Sequence, residues 1–390
     1  MLRHVSTLFL VLAPFAVAQQ KPATPPLTAV EATATVPAGE GAPVIPVKPT
    51  EPAKPAPPPL VKATPIAPTA APSPLDAKPM GEDGLRLQIF LDEAKFGPGI
   101  IDGRPGLFTE LAVQSWNEVH GYPILDWVAV NTAARKAVPN PLAIAIVPDF
   151  VKPWVDGSLP TKVSQQAKRK RMTYRSTAEF MSERYHCDVP YLVLLNGKSK
   201  INNLKARDTV IVPNVAPFTI ESLTGAIYKE DEALSQRHAV VDTKKNQVRI
   251  FEAAPAALAI AEPGAAAPVI RPNKGLIASF PITPGQPKFI RLGTWKVRNS
   301  VELPSWRYDQ KLLDTGKRSA DSESLEIPPG PNSPVGIFWC GLSRPGIGMH
   351  GTPNPETIGR ARSHGCIRMA NWDAVRLPTL IRPGTTVEIR

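Results

Sequence analysis

The spacing of apolar and polar residues changes several times along the 390-residue chain, and each change marks an expected element. Residues 19 to about 80 show no apolar period, only Pro, Ala, Thr, Val, Lys and Glu, as in Glu51-Pro52-Ala53-Lys54-Pro55-Ala56-Pro57-Pro58-Pro59. A stretch with nothing to bury cannot build a core, so 19–80 reads as a disordered, polyproline-like spacer that supplies reach. From Leu85 the period becomes helical: Leu85, Leu87, Ile89, Phe90 and Leu91, a Gly-rich turn, then Phe108, Leu111, Ala112, Val113 and Trp116. This predicts helix, loop, helix over 84–131, with Thr109 placed to cap the second helix.

Residues 173–214 carry Tyr174, an amphipathic run from Ala178 to Tyr185, Val189 and Leu192, the turn Asn196-Gly197, and Val210-Ile211-Val212. The periods predict strand, helix, helix, strand, with Cys187 a small buried side chain between the helices. From 237 to 390 the pattern is that of short strands. Ala239-Val240-Val241 and Gln247–Phe251 flank the turn Lys244-Lys245-Asn246, and further runs stand at Leu276–Ile282, Gly293–Val297 and Thr385–Ile389. A mainly β unit is expected, interrupted by an Ala- and Pro-rich surface insertion at 253–268. The fold class is therefore multidomain α+β: a helical bundle, a βααβ unit and a C-terminal β domain.

Composition adds an address. Met1, Arg3 and His4 precede the apolar run Val5–Ala18, which ends Ala16-Val17-Ala18, the pattern of a cleavable secretory signal over 1–18. That run is short for a bilayer core, which needs ~20 residues, so membrane contact is expected only through this segment if it stays uncleaved. Export implies the periplasm or the cell wall. A formal charge of +11 then favours cell-wall polymer or lipid headgroups over nucleic acid. Three cysteines, Cys187, Cys340 and Cys366, exclude a disulfide-dense scaffold and leave an odd thiol to explain.

The chemistry concentrates near the C-terminus, in Gly348-Met349-His350-Gly351-Thr352, Ile358-Gly359 and Ser363-His364-Gly365-Cys366-Ile367-Arg368. A cysteine nucleophile needs a base, and an oxyanion needs donors, which the backbone N–H groups of a Gly-Cys turn supply. His350, His364 and Cys366 are equally three zinc ligands in type. However, neither Cys-x-x-Cys nor His-x-x-x-His spacing is present, so no metal and no other cofactor is expected.

This string resembles the catalytic domain of the L,D-transpeptidases, the YkuD type, across 237–390. Upstream, Phe96-Gly97-Pro98-Gly99-Ile100-Ile101-Asp102-Gly103 with Thr109 resembles the peptidoglycan-binding type 1 module. Leu194-Leu195-Asn196-Gly197 with Asp208-Thr209-Val210-Ile211-Val212-Pro213 resembles a LysM module, although Arg207 stands where that family usually has Gly. The catalytic resemblance implies a β-sandwich-like domain in which Cys366 attacks the carbonyl of the third stem-peptide residue of peptidoglycan. D-Alanine leaves, and an amine resolves the thioester. It further implies His350 as base, oriented by a backbone carbonyl near Gly351, His364 flanking the acyl site, and Gly365 with Cys366 as oxyanion donors. Ser363, Arg368, Gly351 and Thr352 fall at the substrate, with Arg368 suited to a carboxylate. Residues 303–334, with Trp306 and Tyr308, are expected as a loop or lid, and Cys340 as a strand residue with a lesser prospect of pairing with Cys366. The peptidoglycan stem is the expected partner, as donor and as amine acceptor; the oligomeric state is not legible. Water in place of the amine makes the same site an L,D-carboxypeptidase, and a non-catalytic wall-binding protein is the reading from a different class.

Overall fold

The computed structural model describes residues 62–253, 273, 275–309, 311, 319–320, 324–344, 346–361 and 365–390. The expected signal segment 1–18, most of the spacer and nearly all of the insertion at 253–268 lie outside the described residues. Helix α1 spans Gly81–Glu93, α2 Leu107–His120 and α3 Trp127–Ala137. Leu87, Leu91, Ala112, Val113, Trp116, Val130 and Ala134 pack between them as one buried cluster. The third helix runs past the expected boundary at 131. Thr109 does not cap α2, whose N-cap is Gly106; it lies in the first turn and donates from Oγ1 to Pro98 O at 3.3 Å. The loop before it is shaped instead by Gln88, whose Oε1 accepts from the N–H groups of Asp102 and Gly103 at 3.0 and 2.7 Å.

The end of the expected spacer is ordered. Strand β1, Thr64–Ile66, pairs antiparallel with β2, Leu142–Ile146, which in turn pairs with β3, Thr209–Pro213. Pro65 is tolerated because β1 is the edge of this sheet, where a missing N–H costs no ladder bond. The chain after β1 is then stapled to the helices: Asn131 Nδ2 donates to Leu75 O and Ala77 O at 2.8 and 3.0 Å, and Thr69 N donates to Glu82. Side-chain staples of this kind leave no apolar periodicity, which is why composition alone reads the segment as spacer.

Between β2 and β3 lie α4 (Val163–Gln166), α5 (Thr177–Arg184), α6 (Val189–Asn196) and α7 (Lys198–Asn202). Ser176 caps α5 by accepting from Glu179 N, and Asp188 caps α6 by accepting from Tyr191 N. The partner of the closing strand differs from expectation. It is β2, whose Leu-Ala-Ile-Ala-Ile alternates, whereas Tyr174 contributes only an isolated bridge to Val155.

The C-terminal part is mainly β. Its strands are β4 (Ile227–Tyr228), β5 (His238–Asp242), β6 (Gln247–Phe251), β7 (Leu276–Pro281) and β8 (Gly293–Glu302), followed by β9 (Trp306–Tyr308), β10 (Leu325–Ile327), β11 (Phe338–Leu342), β12 (Gly348–His350), β13 (Ile367–Arg368) and β14 (Thr386–Ile389). One sheet runs β13-β12-β11-β8-β14-β5-β6-β7, with β4 also on β8. The first half of β8 pairs with β14 and the second half with β11, so the two halves of the sheet share one bent strand. The ends of the sheet then meet: Thr283, just past β7, exchanges two 2.9 Å backbone bonds with Arg368 of β13. A sheet whose two ends touch encloses its apolar face, where Val248, Phe280, Val297, Phe338, Met349, Ile367 and Val387 are buried. In the 303–334 segment β9 and β10 pair with each other, and its base is held by upstream residues, with Met172 N donating to Pro329 O at 2.9 Å.

The upstream units are not separate beads. All described residues belong to one compact unit, and Leu85, Ile89, Phe180, Met181, Leu192 and Val212 share a buried cluster with the C-terminal strands. An ionic cluster lies in the same region. Asp92, at 1% exposure, accepts from Arg376 Nη2 at 2.6 Å and Nη1 at 3.0 Å and is 3.1 Å from His186 Nδ1. Trp372, from helix α8 (Asn371–Ala374), stacks on His186 with ring centroids 5.4 Å apart. Burial alone would push the Asp92 carboxyl up, but Arg376 and His186 hold it well below the usual range. Removing one partner of such a pair strands the other. Asp92→Asn should therefore cost roughly 3 kcal/mol in urea unfolding. Lys78→Ala, which breaks the exposed 2.9 Å pair with Glu110, should cost under about 1 kcal/mol in the same assay.

Candidate active site

Three short strands assemble the candidate site. In the register of β11 with β12, Trp339 lies opposite His350 and Gly341 opposite Gly348; in the parallel register of β12 with β13, His350 lies beside Arg368. Cys366 directly precedes β13, two residues before Arg368, and its sulfur lies 3.5 Å from Gly346 O, in the turn that leads into β12. The structure thus brings together Cys366, His350, Gly365 and Arg368. Ser363 and His364 lie outside the described residues.

His350 is 5% exposed, and its Nδ1 is 2.7 Å from Gly351 O. A carbonyl accepts only, so Nδ1 carries the hydrogen and Nε2 keeps its lone pair for a proton. Burial lowers the imidazole to about 4, with Arg368 adding to the effect and the Gly351 bond opposing it. Cys366 is half-buried, with Sγ 3.5 Å from Gly346 O, and desolvation pushes its thiol up to about 11. Both groups are therefore neutral at pH 7. The thiol proton is then still on sulfur when substrate arrives.

Gly351 and Thr352 behave differently from the expectation that they contact substrate. Both are buried with internal partners: the Gly351 carbonyl accepts from His350, and Thr352, at 2% exposure, accepts from Asn354 N at 3.3 Å through its hydroxyl, a turn within the strap that follows β12. Cys340 is a strand residue. It stands one position from Trp339, so it points to the opposite face from Trp339 and His350, and Ser300 Oγ lies 3.8 Å from its sulfur. No disulfide links the three cysteines.

Two residues escaped the sequence reading. Thr283 ties the strap down, accepting from Gly359 N at 2.8 Å through Oγ1 while its backbone pairs with Arg368. Trp339 stacks on His350 with centroids 5.7 Å apart and lies across Gly341 and Gly348, where an added Cβ would fall 2.7 Å from the indole. Those glycines leave room for the indole beside His350. An aromatic in an apolar strand gives no sign of this, because only the register shows what it covers.

Known proteins resemble the C-terminal part of the chain. The YkuD family profile, described as the L,D-transpeptidase catalytic domain, matches residues 267–389. The YkuD protein of Bacillus licheniformis, named as an L,D-transpeptidase, is 48% identical over 61 residues, covering 16% of this chain and 37% of that protein. ErfK/SrfK of Escherichia coli K12, also named as an L,D-transpeptidase, is 29% identical over 120 residues, covering 30% of this chain and 38% of that protein. A solved L,D-transpeptidase from Mycobacterium smegmatis aligns at 14% identity with a TM-score of 0.27, over 40% of this chain and 58% of that one. The chain spans little more than a third of the length of these curated relatives. Residues 267–389 are thus similar to the L,D-transpeptidase catalytic domain of the YkuD type.

With the Cys366 thiol near 11, the thiolate fraction should rise about tenfold for each pH unit below that value. The rate of iodoacetamide alkylation of Cys366, followed by mass spectrometry from about pH 6 to 9, should climb with that slope and show no plateau. A plateau near neutrality would show a preformed ion pair and refute the neutral resting site.

Proposed function

We propose that this protein is an exported acyltransferase of the cell wall, an L,D-transpeptidase acting on peptidoglycan stem peptides through Cys366. The observation that carries the reading is the parallel register that lays His350 beside Arg368, two residues after Cys366, with His350 Nδ1 committed to the Gly351 carbonyl. In this reading the donor carbonyl of the third stem residue enters above the thiol. His350 Nε2 takes the thiol proton as the C–S bond forms, so the two unfavourable ionisations never occur separately. The proton then goes to the leaving D-alanine nitrogen, and a thioester remains. An amine from a second stem attacks it, His350 again moving the proton. Gly365 and Cys366 N–H groups serve the oxyanion, and Arg368, half-buried beside His350, meets a substrate carboxylate. Ser363 and His364 flank the acyl site. No metal or cofactor takes part.

We also place the chain outside the cytoplasm, on the strength of its leading segment and spacer, and read the helical and βααβ units as a wall-facing platform. Because these units share a core with the sheet, they present glycan and stem peptide to the site as one body.

Mass spectrometry of residues 62–390 with a disaccharide tetrapeptide tests the activity. Loss of D-alanine with a new cross-linked dimer is expected, and none with Cys366→Ala. Tripeptide without dimer would show a carboxypeptidase instead. No change with either protein would move the assignment to a non-catalytic wall-binding protein.

The acid limb supplies a second test. A group lowered to about 4 is still a free base at pH 5, so kcat/KM should stay level down to about pH 5 and fall below it, centred near 4. A limb near 6.5 would show that the base is an ordinary exposed histidine and not His350.

A further inference from the structure

The contacts of Gly351 lead away from the site and into the upstream helices. Asn371, fully buried at the start of α8, lies against the backbones of Gly351 and Gly336. An added Cβ on either glycine would fall 2.1 or 2.2 Å from Asn371 Oδ1. The same oxygen accepts from Ile337 N at 3.3 Å. The other end of the amide points to α5: Asn371 Nδ2 donates to Glu183 Oε1 at 2.8 Å and faces Pro331 O at 3.4 Å. Glu183 is buried, and its second oxygen is hydrogen-bonded to the hydroxyl of Tyr174. The polar atoms thus form one line from Tyr174 to Glu183 to Asn371, ending on the glycine whose carbonyl holds the catalytic histidine.

The orientation of the Asn371 amide follows from this line. Burial raises Glu183 to about 8, so at pH 7 it keeps a proton; with that proton on the oxygen facing Tyr174, Oε1 still accepts and selects the amide in which nitrogen faces α5 and oxygen faces the two glycines. Inverted, the amide would turn its NH2 group toward the Ile337 N–H and into glycine backbone, where no room exists. Gly351 is then held where its carbonyl meets His350 Nδ1, which fixes the tautomer and leaves Nε2 free. Glu183 belongs to the βααβ unit, 167 positions before His350, so nothing in the motif around the cysteine announces it.

We propose that Glu183 is a positioning residue for His350, acting through Asn371 and Gly351, so that the upstream unit sets the geometry of the base. The inference rests on the transferase reading for its kinetic arm and on geometry alone for its spectroscopic arm.

The test uses residues 62–390 with Glu183→Ala, Glu183→Gln and Tyr174→Phe, each checked by thermal melting, with kcat and KM on the tetrapeptide and the Nδ1–H resonance of His350 in 15N-histidine spectra, assigned by its loss in His350→Gln. Glu183→Ala should lower kcat by about tenfold with KM little changed, since a shifted base harms the transition state more than binding. Its Nδ1–H resonance should broaden or vanish as the tautomer is released. Glu183→Gln, with its oxygen toward Asn371 and its nitrogen toward Tyr174, should restore kcat to within about twofold and keep the resonance. Tyr174→Phe, which keeps the carboxyl group and creates no large cavity, should fold and show a smaller fall in kcat. Should Glu183→Ala not fold, the comparison of Tyr174→Phe with wild type decides the matter. A lower melting temperature with unchanged kcat and an unchanged resonance would make Glu183 merely structural and overturn the proposal. An inactive wild type would retire the transferase reading and leave the resonance to judge the positioning role.

Discussion

The buried contact of Asp92 with Arg376 and His186 is the constraint on which the rest of the arrangement depends. It gathers a residue from the end of α1, one from the turn between α5 and α6 and one from the turn after α8. A carboxylate this deeply buried must keep its partners, because an ion left alone there is far more costly than a pair. Burial lowers His186 and raises Asp373 to about 8, so between the two aspartates beside Arg376 it is Asp92 that carries the charge at pH 7. One anion against one guanidinium is a balance the interior can hold. The stacking of Trp372 on His186 closes the cluster to water on one side.

That contact decides where α8 sits, and α8 decides much about the site. Asn371 and Trp372 are neighbours on one short helix, the first under Gly351 and the second over His186. Fixing the helix fixes both. The strap from Gly351 to Gly365 is then held at its start by Asn371, in its middle by Thr283 Oγ1 on Gly359, and at its end by the Thr283–Arg368 backbone pair. A segment rich in glycine would otherwise pay a large entropic cost to hold a nucleophile and a base in register. The outcome is a site set on strands and tied to a shared core, which favours a preorganised geometry over one assembled by the substrate.

What could be read in the sequence follows from the range over which each signal acts. His350, Gly365, Cys366 and Arg368 stand in a dense local string, and strands such as Gln247–Phe251 or Leu276–Ile282 show in their own period. Local caps were also within reach, as Ser176 and Asp188 show, although Thr109 illustrates how the same residue type can turn back to a loop instead. Pairing was not within reach. That β3 joins Leu142–Ile146, that Thr64–Ile66 adds a strand to a Pro-rich stretch, and that Thr283 touches Arg368 are all long-range facts. Trp339 and Glu183 were invisible for the same reason: an aromatic or a glutamate in an amphipathic run reads as ordinary surface or core until its neighbour across space is known.

The protonation states of the resting pair give the arrangement its chemical sense. A thiolate held ready beside an imidazolium reacts with any electrophile. Here desolvation keeps sulfur protonated and imidazole neutral, with thiol near 11 and base near 4. Proton transfer between two such groups is steeply uphill in isolation. It becomes feasible only when a carbonyl is close enough to the sulfur for negative charge to pass on to oxygen, where backbone N–H groups and the Arg368 field can receive it. Reactivity is then conditional on a correctly seated acyl donor. The same condition explains why the hydrogen bond to Gly351 matters: together with the Trp339 stack it holds the imidazole so that, in the proposed reaction, Nε2 faces the proton it must take.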